Sequence, residues 1–104
     1  MAVGANQPFG NASATLTIAA GATSVSGALP PGQADGSVLV FNSTTFVAFV
    51  RLDAGPATTN DIPVPPNGRI LLQCNQFITN ASAILIGTTP SGNIYFTRGV
   101  GSVY

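Results

Sequence analysis

Glycine and proline interrupt this sequence so often that an α-helix has little room to form. The chain has 104 residues, of which 12 are Gly and 8 are Pro. The stretches between them are rich in Thr, Val and Ile, which favour strands over helices. Near the start, Leu16 and Ile18 alternate with Thr15 and Thr17, as expected for a strand with one buried face. The sequence therefore predicts an all-β chain.

Turn signals divide the chain into short segments of this kind. Strands are predicted at residues 14–19, 23–29, 37–42, 45–53, 69–74, 81–87 and 93–98. Residues 62–64 form a candidate edge strand, because Pro63 has no N–H to donate to an interior ladder. Seven to eight short strands predict a single β-sandwich that is jelly-roll-like.

The spacing of the strands also predicts their connections and the domain boundary. Short turns predict one hairpin between residues 37–42 and 45–53, and another between residues 81–87 and 93–98. Residues 1–11 lack periodicity and contain one large apolar side chain, Phe9. We therefore expect residues 1–11 to form an extended N-terminal arm and residues 12–104 to form the sandwich domain.

Charged side chains are rare and balanced. Three Arg and three Asp give a formal net charge of zero, and Lys, Glu and His do not occur. A free-standing protein usually keeps a net charge that resists self-association, so we expect a surface that is hydrated by uncharged polar groups or covered by partners. Nucleic-acid binding is not expected without basic side chains, and no apolar run reaches the length of about 18 residues that a membrane helix needs.

The start of the sequence and its cysteine usage predict a compartment. The first residues lack the basic and apolar regions of a signal peptide. The single Cys74 excludes an intrachain disulfide. We therefore expect the protein to be made and kept in a cytoplasm.

The residue types needed for most enzymatic chemistry are missing. Without His, Glu or Lys, a Ser–His–Asp triad and a His-containing zinc site are both impossible. Asp35, Asp53 and Asp61 occur in contexts typical of turns, and Cys74 ends an apolar strand. We expect turn-forming roles for the three Asp and a buried apolar role for Cys74. The sequence predicts no enzyme, no cofactor and no metal.

The predicted strand 45–53 is apolar on both faces. One face consists of Phe46, Ala48, Val50 and Leu52, and the other of Val47 and Phe49. The first face suits the core, whereas the second has no helix to cover it. Two alternatives remain open, a subunit interface and cover by the loop at residues 54–66. Arg51 and Asp53 share a strand face and can pair between strands or between subunits.

The turn Pro65-Pro66-Asn67-Gly68 before an apolar strand, the Thr/Ala/Val-rich strands and the ending Asn93-Ile-Tyr-Phe-Thr-Arg98-Gly-Val-Gly101 resemble small virion proteins of tailed bacteriophages, most of all capsid decoration (cement) proteins. The resemblance implies a structural protein that binds the outer capsid surface and clamps neighbouring capsomers. Its partner would be the major capsid protein, with no nucleic acid and no membrane. It would be made in the host bacterial cytoplasm and reside in the virion.

The resemblance also implies a homo-oligomer, a trimer before a dimer. The candidate interface residues are Phe9, Val47, Phe49, Arg51, Asp53, Arg98 and Tyr104. The alternative is a carbohydrate- or receptor-binding β-sandwich module of a phage tail or fibre. Sugar-binding modules usually stack sugars on exposed aromatic rings. The chain has no Trp, so Tyr95 and Tyr104 are the candidates for that role.

Overall fold

The computed structural model of the chain describes residues 15–30, 36–53, 55–73, 77–87 and 89–99. These residues form eight β-strands and no helix, which confirms the prediction of an all-β chain. The strands are β1 (Thr15–Gly21), β2 (Val25–Ala28), β3 (Ser37–Asn42), β4 (Val47–Arg51), β5 (Ile62–Val64), β6 (Arg69–Gln73), β7 (Asn80–Ile86) and β8 (Ser91–Gly99).

The strands form two four-stranded sheets in which all neighbours are antiparallel. Sheet I has the order β1-β8-β3-β6, and sheet II has the order β2-β7-β4-β5. Only β4 and β5 follow each other in the chain and also pair in the same sheet. Every other connection between consecutive strands passes from one sheet to the other.

Both predicted hairpins are therefore wrong. Strand β3 pairs with β6 and β8, whereas β4 pairs with β5 and β7. Strands β7 and β8 likewise lie in different sheets. The short turns after β3 and after β7 are corners between the sheets, and turn signals alone do not distinguish a corner from a hairpin.

A single apolar core receives side chains from both sheets, in a sandwich-like arrangement. Its buried members are Ile18, Ala20, Leu29, Val38, Val40, Ala48, Val50, Val64, Ala81, Ala83, Leu85, Ile94 and Phe96. In β4 the buried residues are Ala48 and Val50, and the partly buried Phe46 and Leu52 pack against the same cluster. The predicted inward face of this strand is thus confirmed.

Asn42 holds the corner between β3 and β4, and it is fully buried. Its side-chain Nδ2 donates to the carbonyl oxygens of Phe46, Val64 and Pro65 at 2.7, 3.1 and 3.2 Å. Its Oδ1 accepts from the backbone N–H and the hydroxyl of Thr44 at 2.9 and 2.7 Å. One amide thus satisfies the buried polar groups of a corner that leaves sheet I and enters sheet II.

Strand β8 passes very close to this corner at Gly92. The φ angle of Gly92 is 144°, a conformation that side chains with a Cβ rarely adopt. A Cβ added at Gly92 would lie 2.5 Å from Cγ2 of Thr44. Glycine is therefore required at this position for both conformational and steric reasons.

The predicted edge strand and turn around residues 62–68 are present. Strand β5 lies at the edge of sheet II, with Pro63 opposite Phe49 of β4. The turn before β6 has Asn67 at a φ of 56° and a hydrogen bond from the Gly68 N–H to the Pro65 carbonyl at 2.9 Å. Asn is among the few non-glycine residues that adopt this conformation readily.

Several sequence predictions lie outside the described residues. They concern the arm at residues 1–11 with Phe9, and also Asp35, Cys74 and Tyr104.

Candidate interaction surface

The outer face of sheet II has an apolar half. Because side chains alternate along a strand, Val47 and Phe49 of β4 point away from the core that receives Ala48 and Val50. The register places Val47 opposite Ile86 and Phe49 opposite Ile84 of β7. We call Val47, Phe49, Ile84 and Ile86 the apolar patch. Its first three members are partly buried, and Ile86 is 49% exposed.

The other half of the same face is covered by the loop that follows β4. The hydroxyl of Ser82 donates to the carbonyl oxygens of Asp53 and Gly55 at 3.1 and 2.8 Å. Further along, the N–H of Ala57 donates to the Ser24 hydroxyl at 2.8 Å, and Ala57 is 3% exposed. The loop thus crosses from β4 over β7 towards β2. The loop therefore covers this half of the face. The apolar patch in the other half stays partly accessible among the described residues.

Arg51 and Asp53 mark the boundary between the two halves. Arg51 Nη2 lies 3.5 Å from Asp53 Oδ2, with 42% and 57% of the two side chains exposed. A surface ion pair of this kind adds little to stability. Asp53 Oδ1 also accepts from the Gly55 N–H at 3.2 Å. The predicted turn-forming role of Asp53 is confirmed, and its charge is paired within the chain.

Asp61 has the turn-forming role predicted for it as well. Its Oδ2 accepts from the Thr58 N–H at 2.7 Å, and its own N–H donates to the Thr58 carbonyl at 3.0 Å. Among the residues with a described position, no group of three His, Cys, Asp or Glu side chains could hold a metal ion.

Arg98, predicted as an interface residue, is an interior residue of the chain. It is 1% exposed and follows Ile94 and Phe96 on the inward face of β8. Its Nη1 donates to the carbonyl oxygen of Pro30 at 3.2 Å and to that of Ile78. The guanidinium thus links the loops at Pro30 and Ile78 to strand β8 through hydrogen bonds. At this depth it is not accessible to a partner. We therefore leave Arg98 out of the interface proposed below.

The outer face of sheet I carries an aromatic row that the sequence did not reveal. The register places Thr17, Tyr95, Phe41 and Arg69 side by side across four strands. The rings of Phe41 and Tyr95 are stacked, with centroids 6.2 Å apart and planes inclined by 19°. The sequence singled out Tyr95 as a candidate platform, but it did not place Phe41 beside it, because the pairing of β3 with β8 depends on the topology.

An open cleft of about 190 Å³ lies beside the covered half of sheet II. It is lined by Leu52, Asp53, Phe77, Ile78, Thr79 and Asn80. Among the lining residues that the structure describes, Asp53 is the only ionisable side chain, and it pairs with Arg51.

The fold and its surfaces define an all-β, sandwich-like domain with a partly covered apolar outer face. Among the described residues there is no helix that could span a membrane. No protein-family model, no curated protein and no solved structure matches the chain.

Proposed function

We propose, first, that the eight strands form a jelly roll. Four strand pairs are nested, since β1 pairs with β8, β2 with β7, β3 with β6, and β4 with β5. This nesting is what results when one long antiparallel hairpin is rolled into two sheets. The jelly-roll architecture is used by viral capsid proteins and lectins, both of which act through their surfaces.

We further propose that the protein is a structural virion protein, which binds the outer surface of a bacteriophage capsid and clamps neighbouring capsomers. The observation that supports this most is the half-covered outer face of sheet II. A loop covers the Ser82 end of that face, whereas the patch at the other end has no cover among the described residues. The zero net charge and the resemblance of residues 93–101 to decoration proteins also favour capsid binding. The partner is the major capsid protein.

The size of the patch favours several copies acting together. Complete burial of a Val, Ile or Phe side chain is worth about 1.5–3 kcal/mol. Three of the four side chains are already partly buried, so covering the patch adds roughly 3–6 kcal/mol. Association of two proteins costs about 4–15 kcal/mol in lost freedom. One patch therefore binds weakly, and linked copies in a homo-oligomer provide the avidity that a clamp requires.

The test is binding of purified protein to capsids that lack it, measured by co-sedimentation. Phe49→Asp and Val47→Asp place a charge in the patch, and we expect each to weaken binding at least tenfold. Thr45→Asp is the matched control, because Thr45 is exposed and lies outside the patch. Thermal unfolding of each variant establishes that the fold survives. Binding of both patch variants at the level of the control would refute the proposed surface.

A second candidate function rests on the aromatic row of sheet I. Tyr95 and Phe41 form a half-buried stacked pair, with the exposed Thr17 and Arg69 at either end of the row. Aromatic faces beside hydrogen-bonding groups are typical of sugar sites, so this row fits a carbohydrate-binding module of a phage tail or fibre. Glycan-array binding that is lost in Tyr95→Ala and retained in Phe49→Asp would favour this function over capsid binding.

A further inference from the structure

The two sheets end in four edge strands, and three of them are poor templates for pairing. Strand β5 has three residues and contains Pro63, which has no N–H. Strand β2 has four residues, and β6 begins with the exposed charge of Arg69. Short edges, proline and charge are the features by which proteins prevent edge-to-edge association.

Strand β1 has none of these protections. It has seven residues, Thr15–Gly21, without proline or charge. Its ladder to β8 is regular over all seven residues, and β1 pairs with no other described strand. An edge of this length exposes a row of unpaired N–H and C=O groups. We propose that β1 pairs antiparallel with β1 of a second copy of this chain, which joins two copies of sheet I into one eight-stranded sheet.

The side chains of β1 are complementary to themselves in one register. A two-fold axis through Ile18 pairs all seven residues, and an axis through either neighbouring residue pairs only five. The axis through Ile18 places Leu16 opposite Ala20 of the second copy, so a large side chain faces a small one. It also places Thr17 opposite Ala19 of the second copy on the outer face. No like charges meet across the axis.

We call this pairing of β1 with β1 the seam. Its symmetry determines how the two apolar patches are oriented. Inward-facing residues of one β1 lie beside inward-facing residues of the other, so the axis is perpendicular to the joined sheet. Sheet II of both copies then lies on the same side, and the two apolar patches face the same way. A dimer of this form is bivalent towards one flat surface. The seam itself rests on β1 alone and does not require the proposed capsid function.

Two double variants test the seam at the same two positions. Thr17→Lys with Ala19→Lys places like charges opposite each other across the axis, whereas Thr17→Lys with Ala19→Asp places opposite charges there. Sedimentation equilibrium over a range of concentrations measures the association. We expect a dimer for the parent chain, at least tenfold weaker association for the first variant, and association close to the parent for the second.

Thr45→Lys with Thr59→Lys is the charge-matched control, since both threonines are exposed and lie outside β1. We expect it to associate like the parent. A parent chain that stays monomeric, or equal dimerisation of the two β1 variants, would overturn the proposal. Loss of the dimer on deletion of residues 2–10, with β1 intact, would also overturn it by identifying the arm as the occupant of the edge. None of these outcomes alters the capsid-binding result for Phe49→Asp.

Cross-linking provides a second measurement if the charged variants fold poorly. With Cys74→Ser to remove the native thiol, Thr17→Cys combined with Ala19→Cys places thiols at directly opposed positions across the axis. Directly opposed Cβ atoms lie about 4.5–5.5 Å apart, near disulfide range. We expect a disulfide-linked dimer on mild oxidation. A chain that remains monomeric under these conditions would contradict the register.

Discussion

Removal of the Asn42 side chain should destabilise the protein more than removal of any exposed polar side chain. Asn42→Ala removes all five hydrogen bonds of this side chain, of which the three shortest, at 2.7 to 2.9 Å, join it to the Phe46 carbonyl and to the N–H and hydroxyl of Thr44. Each such bond contributes about 1 kcal/mol net, and a buried N–H left without a partner costs about 1–3 kcal/mol more. Counting only the three shortest bonds, we therefore expect a loss of roughly 4–6 kcal/mol in the free energy of unfolding.

The measurement is equilibrium unfolding in urea. Domains of this size are stable by about 5–15 kcal/mol, so a parent near the middle of that range gives a variant that still folds, with a midpoint lower by more than about 1 M. Ser43→Ala is the matched control. The Ser43 hydroxyl donates to the Asn93 carbonyl at 2.7 Å, but Ser43 is exposed, so its loss should cost less than about 1 kcal/mol. Equal costs for the two variants would refute the role of Asn42 as the polar centre of the corner.

Asn42→Asp adds a dependence on pH. One carboxylate oxygen would keep the contacts with Thr44, while the other would face the carbonyl oxygens of Phe46, Val64 and Pro65. That environment disfavours the ionised form and raises the pKa of the introduced carboxyl above its unfolded value. The variant should therefore be closest to the parent in stability below the unfolded pKa, and it should lose stability as the pH rises through the folded pKa.

Two further predictions concern Gly92 and Arg98, and both are read from the same urea unfolding experiment. Gly92→Ala should cost several kcal/mol, because its Cβ would overlap Thr44 Cγ2 at 2.5 Å. Gly21→Ala, where the added Cβ would lie 3.5 Å from the Pro90 carbonyl oxygen, should cost less than about 1 kcal/mol; similar costs would contradict the close approach at the corner. Arg98→Met should lose roughly 2–4 kcal/mol, because the carbonyls of Pro30 and Ile78 lose their shared donor, and Arg98→Lys should lose less. Parent-like stability of Arg98→Met would show that the guanidinium does not tie the loops to β8.

Local patterns predicted the strands well, because alternation depends only on neighbours in the sequence. The inward face of β4 and the edge position of Pro63 follow from side-chain periodicity and from the missing N–H. The hairpins were mispredicted, because strand partners in this fold are far apart in sequence. Asn42 and Thr44 resemble ordinary turn residues until the chain is seen to change sheets between them.

The candidate surface was predictable in part. Alternation placed Val47 and Phe49 on the outer face of β4, but the extent of loop cover depends on the hydrogen bonds of Ser82. Arg98 was predicted to lie at an interface, although Ile94, Phe96 and Arg98 have the spacing of one strand face. The row that includes Phe41 and Arg69 required the pairing of β3 with both β6 and β8.

An electron cryomicroscopy reconstruction of the phage particle, compared with a particle that lacks this chain, tests the central proposal most directly. We predict additional density on the outer capsid surface into which the two sheets fit, with the apolar patch of sheet II against the capsid protein. Identical capsid maps, or density that turns the patch towards solvent, would contradict the proposed function.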